Sequence, residues 1–251
     1  MNDKVNENQI FKEYKVWDKT TRWFHWINFL SVLLLIGIGT VILYNKKLGI
    51  NTDAKIFLKT IHVCIGYIFC INLIWRLVWG VIGNRYARFK AILPGGKGYM
   101  CALGEYAKGF ISGDAPGWLG HNPIGRLMVA ALMALLLVQG GTGLIVAGTD
   151  IFYPPIGNKM KVWIAKDQSK LDLIKPYSKE NVDEAKFKEM RAFRAPYIGT
   201  HVKLYYVLLV LIVIHIAAAI ITDIKEGNGI ISAMFTGRKF FKEKPVDSEE
   251  E

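Results

Sequence analysis

Cysteine is scarce in this chain: three residues in 251, at Cys64, Cys70 and Cys101. The first two fall inside an apolar run and the third in a loop, so no disulfide framework is implied, and without a C-x-x-C-H there is no covalent haem attachment. Histidine is nearly as rare, with five residues. No cleavable leader is expected, because the first 22 residues are polar and contain acids; the first apolar run should therefore act as an uncleaved anchor. Charge is missing from long stretches: between Arg22 and Lys46 for 23 residues, and between Lys203 and Asp223 for nineteen. Acid is the minority sign, 21 residues against 32 basic ones. The excess of bases flanks the apolar runs, so anionic lipid headgroups are the expected counterpart and nucleic acid is not.

What is present is apolar and clustered. The chain is 52% hydrophobic, concentrated in four runs, each about the 20 residues a bilayer span needs. They lie at 23–45, 57–82, 127–149 and 200–222. The sequence predicts an all-α fold, a four-helix transmembrane bundle with a surface helix in the second loop (98–113) and a long polar third loop (150–199). Residues 1–230 form the membrane domain and 231–251 a polar tail, expected to be disordered at its tip. Four spans put both termini on one side. The basic count is close, 16 Lys/Arg on the terminal side against 14 on the other. The long third loop supplies ten of those 14, and long loops weigh less, so both termini are expected in the cytoplasm.

Four histidines then sort by depth. His201 and His215 share the last span, fourteen residues apart, which is about 21 Å of rise with both rings within roughly 40° of one helix face. His25 opens the first span and His62 the second. Given the topology, His62 pairs with His201 near the outer face, and His25 with His215 near the cytoplasmic face. Ionisable groups within a membrane are costly and mark function. Bis-imidazole ligation of iron in a helical bundle is one use of such pairs, and it predicts two haem b groups. Haem propionates are anionic, so Arg22, Arg76 and Lys203 are candidate partners. Gly37, Gly39 and Gly66 are positions where a porphyrin plane can approach a helix, although glycine also serves helix packing in membranes.

The fifth histidine, His121, precedes Asn122 and Pro123, an N-cap and first-helical-position pair that starts the third span. Its ordinary pKa lies near neutrality, and it is the candidate proton carrier of a quinone site at the membrane surface.

Several stretches resemble a known family: VWDKTTRWFHW (16–26), IHVCIGYIFCINLIWRLVWGVIGNRYAR (61–88), GHNPIGR (120–126), GTG (141–143) and the His201–His215 pair. Over residues 15–230 the chain is similar to the b-type cytochrome subunits of membrane-bound nickel–iron hydrogenases, within the bacterial cytochrome b561 group. The resemblance implies that His25, His62, His201 and His215 ligate two haems b, one near each face of the inner membrane, and that His121 belongs to the quinone side. It implies an electron-transfer subunit connecting membrane quinone to a periplasmic redox protein. The long loop 150–199 carries none of the matching motifs. A b561-type cytochrome serving a periplasmic c-type cytochrome or reductase, and a quinol:superoxide oxidase, are alternatives; a metal or haem transporter is the non-redox alternative.

Overall fold

The computed structural model describes residues Phe11–Ser248. Four helices are long and apolar enough to cross a membrane: α1 (Lys19–Leu43), α2 (Thr52–Ile82), α5 (Pro123–Asp150) and α7 (Glu184–Glu226). Between α2 and α5 lie a short α3 (Phe89–Ile92) and α4 (Tyr99–Ser112); α6 (Gly157–Ile164) follows α5, and α8 (Ile230–Thr236) follows α7. Large apolar side chains on the long helices point outward, among them Leu33 at 55%, Ile71 at 68% and Val213 at 67% exposure. In water such faces would be untenable in that number, and in lipid they are the ordinary boundary.

Contacts divide the chain into two compact units, and each long helix contributes a segment to both. One unit comprises, among the described residues, 11–25, 76–132 and 211–248. Here strand β1 (Lys12–Lys15) pairs antiparallel with β2 (Arg238–Phe241), Lys12 opposite Phe241. Val16, Trp17, Leu119, Ala233 and Phe241 form its core. Asp18 accepts the Thr21 amide at 2.6 Å at the start of α1, and the Trp79 indole at 3.0 Å. Asn122 caps α5 as expected, its Oδ1 accepting the Gly125 amide at 2.7 Å. The tail is folded, disorder having been expected only at its tip. Residues 230–241 form α8 and β2, and the Asp247 carboxylate accepts the amides of Leu119 and Gly120 at 2.6 and 2.9 Å. The expectation for the last three residues falls outside those described.

The other unit comprises residues 26–75 and 133–210. The third connection is a folded cap rather than a polar loop. Ile164, Ala165, Ile174, Val182 and Met190 are buried together, with Phe152, Trp163 and Phe187 packed against them. The fourth helix starts sixteen residues before the apolar run expected for it and continues through Pro196. Its N-terminal extension supplies Phe187 and Met190 to the cap, and that burial accounts for a helix in a stretch rich in charge.

Candidate functional site

In the second unit, α2 brings His62 and α7 brings His201 to one apolar cavity of about 390 Å³. The two rings face each other edge to face, centroids 6.5 Å apart. That spacing accommodates one metal ion between two imidazole nitrogens at bonds of about 2 Å each. Two glycines make the approach possible. A Cβ at Gly39 would stand 3.3 Å from His62 Cε1, and one at Gly143 would stand 3.2 Å from His201 Cε1. Gly37 and Gly66 meet nothing within 4 Å. The His62 Nδ1 is buried with no hydrogen-bond partner among the described residues. The His201 Nδ1 shares a hydrogen with the Thr142 hydroxyl at 3.1 Å, and its Nε2 lies 3.2 Å from the Gln139 amide. A metal-ligating imidazole is usually oriented by such a bond to its second nitrogen. These residues fit a bis-histidine haem.

Sequence reasoning had passed over Gln139 and had noted Thr142 only as the centre of the GTG motif, without a role, since the third span has no histidine. The signal was there: two hydrogen-bonding side chains about one turn apart in an otherwise apolar helix. Lys203, the expected propionate partner, is exposed and does not line this cavity. The charged side chains that do are Lys55, Lys59 and Asp150.

The first unit holds His25 and His215, which lie within electrostatic reach of each other. Arg76 is buried at 5% exposure within the apolar end of α2. Its Nη2 donates to the Ala87 carbonyl at 3.0 Å and its guanidinium lies 5.7 Å from the Phe24 ring centre, while Nη1 has no partner among the described residues. Arg22 donates to the Phe235 carbonyl at the end of α8.

His121 is partly buried. Its ring packs on Trp17 with centroids 5.0 Å apart, and its Nδ1 is shielded without a hydrogen-bond partner among the described residues. Burial, with Lys239, Arg76 and Arg126 nearby, pushes its pKa down to about 3. The imidazole is therefore neutral at physiological pH, a hydrogen-bonding group rather than a store of protons. Lys239, itself buried, donates to the carbonyls of Trp118 and Gly120 at 3.1 Å each and lies 5.9 Å from the Trp17 ring centre. Arg126 covers the Trp118 ring at 5.6 Å. The expected site residues thus fall into two groups, His62, His201 and Lys203 in one unit, and His25, His215, Arg22, Arg76 and His121 in the other.

Membrane-length helices that turn a pair of imidazoles onto an apolar cavity fit a multi-pass membrane protein that holds a metal centre in its helical bundle. A sequence profile of the prokaryotic cytochrome b561 family matches residues 16–237, and the chain belongs to that family. It is 26% identical over 246 residues to the probable Ni/Fe-hydrogenase B-type cytochrome subunit of Rhizobium leguminosarum bv. viciae, covering 91% of this chain and 90% of that one. It is 23% identical over 248 residues to the corresponding subunit of Cupriavidus necator, covering 95% and 92%. The Escherichia coli K12 protein named as the probable Ni/Fe-hydrogenase 1 B-type cytochrome subunit is 26% identical over 142 residues, 51% of this chain and 59% of that one.

Proposed function

We propose that this cytochrome carries two b haems, one between His62 and His201 and one between His25 and His215. It passes electrons between the quinone pool of the bacterial inner membrane and a periplasmic redox partner of hydrogenase type. The observation that carries this reading is the pair of facing imidazoles, 6.5 Å apart in an apolar cavity on helices long enough to span a bilayer. Haem b, when bound, supplies a one-electron iron couple. The chain's own residues fix and insulate it. Thr142 orients the His201 ring, Gly39 and Gly143 let the helices close on the imidazoles, and the apolar lining excludes water. Arg76 and Arg22 offer positive charge near the second pair. The hydrogenase-type partner follows the names of the relatives.

The test is haem content. The wild type should hold two haems per chain, fully extracted by acid–acetone and read as the pyridine haemochrome. His62→Ala should lose one haem and keep the other, and His25→Ala should lose the other one. One haem or none in the wild type overturns the two-pair scheme, and loss of both from either variant in an inserted protein overturns the pairing.

Quinone, in this proposal, reacts beside His121, whose neutral imidazole offers a hydrogen bond to a quinone oxygen. His121→Leu should keep both haem spectra and slow quinone-linked turnover by about 10²–10³-fold, the range for losing one positioned hydrogen-bond donor. Wild-type turnover in that variant moves the quinone elsewhere.

A further inference from the structure

The cavity between His62 and His201 has a single charged edge. Lys55, Lys59 and His62 occupy positions i, i+4 and i+7 of α2, and therefore one face of that helix. Measured along the axis, the two lysine positions stand about 10 Å and about 5 Å from the imidazole. That is the scale on which a porphyrin ring extends from its iron to its carboxylate-bearing edge.

The two lysines are not equivalent. Asp150, at the end of α5, is the one acid lining the cavity among the described residues, and its side chain is only 9% exposed. It is already claimed twice, by an ion pair with Lys59 and by Arg194 of α7 at 2.5 Å. The Tyr177 hydroxyl of the cap completes this cluster, 3.3 Å from Asp150 Oδ2 and hydrogen-bonded by Lys59. Lys55 has no carboxylate partner among the described residues. Its ammonium lies 5.3 Å from the Tyr177 ring centre, over the aromatic face. It is partly buried and faces the cavity, whereas Lys46 and Lys47 just before it are exposed in the manner of headgroup anchors.

An ammonium at the rim of an apolar cavity, without a carboxylate partner among the described residues, is placed to pair with an anionic ligand there. The cluster around Asp150 carries two cations on one carboxylate and adds to the positive field at the same edge. We propose that Lys55 is the propionate anchor of the haem held by His62 and His201, with Lys59, Asp150 and Arg194 as the fixed frame that keeps Lys55 uncommitted. This rests on the haem reading above and assigns a residue that the sequence had placed at Lys203. Lys55 acts by binding and by charge. A cation at the propionate edge favours the reduced haem, which carries one more electron, so its removal lowers the midpoint potential of that haem alone.

The experiment is a spectroelectrochemical redox titration of the full-length chain in detergent, with haem counted in each sample. Lys55→Met should keep two haems and lower one midpoint, by about tenfold in the reduction equilibrium or ~59 mV for one electron, with the other unmoved. Lys55→Arg should restore the wild-type midpoint, and Lys203→Met should leave both midpoints unmoved. Unchanged midpoints in Lys55→Met overturn the proposal and return Lys55 to a lipid anchor; an equal shift in Lys203→Met overturns it as a general charge effect. If Lys55→Met retains only one haem, Lys55→Arg decides: restoring the second supports the anchor, and failing to restore it overturns it. His62→Ala separates this inference from the haem reading. If that variant loses no haem, the reading of the site falls, whereas loss of one haem with no effect at Lys55 defeats the anchor alone.

Discussion

Thr142 shows how much of a haem site lies outside its ligands. Its hydroxyl bonds the Val138 carbonyl one turn back on α5, at 2.8 Å, and meets His201 Nδ1 at 3.1 Å. The helix thereby sets the hydroxyl and the hydroxyl sets the imidazole. Outer contacts of this kind are worth about 10–100-fold in metal affinity when removed. Thr142→Val, which keeps shape and loses the hydrogen bond, should release haem that much more readily to an acceptor protein in excess, with the helical signal unchanged. Equal retention in the variant and the wild type would mean that the ring is held by packing against Gly143 alone. Arg76 stands at the opposite extreme of legibility. A lone guanidinium in an apolar run drew notice in the sequence, and the structure buries it.

At the scale of elements, the apolar runs were legible because a bilayer demands some 20 uncharged residues in one stretch. The starts were legible where a capping residue stood, as Asn122 does before Pro123. The cap was not, because its apolar residues are thinly spaced: Ile164, Ile174, Val182 and Met190 are separated by lysines and acids and converge only on folding. The β1–β2 pair was not legible either, since KEYK and RKFF are four residues each and lie at opposite ends of the chain. Lys239 of β2 makes this pair testable. Burial drops its pKa from the ordinary 10.5 to about 8, against the opposing pull of Glu226, Asp247 and Asp223. Between those two values the unfolded chain holds a proton that the folded chain has released, so folded stability rises with pH across that window. Thermal melting should therefore climb from pH 8 to pH 10 in the wild type and climb less in Lys239→Met. Parallel curves would remove Lys239 as the source.

For the whole molecule, the exposed apolar faces and the paired histidines belong to one design, a membrane solvent outside and a dry cavity within. The proposed orientation, with both termini in the cytoplasm, rests on the distribution of basic residues, and it predicts the behaviour of reporters. A fluorescent protein fused after Glu251 should fluoresce and an alkaline phosphatase fused there should be inactive, with the reverse for fusions within the cap near Lys170. The opposite pattern would invert the proposed topology and place the cavity of His62 and His201 at the cytoplasmic face.

The antiparallel pairing of Lys12 with Phe241 has a consequence for the order of biosynthesis. One strand, at residues 12–15, leaves the ribosome well before its partner at residues 238–241. At about 5–20 residues per second, the early strand waits on the order of ten seconds or longer, while four helices enter the bilayer, before any partner exists. Asp247, which seats the amides of Leu119 and Gly120, arrives later still. The unit that carries His25, His121 and His215 is therefore closed only once residues 238–247 have emerged, and a ribosome that stalls before residue 238 leaves the helices inserted and that unit unfastened.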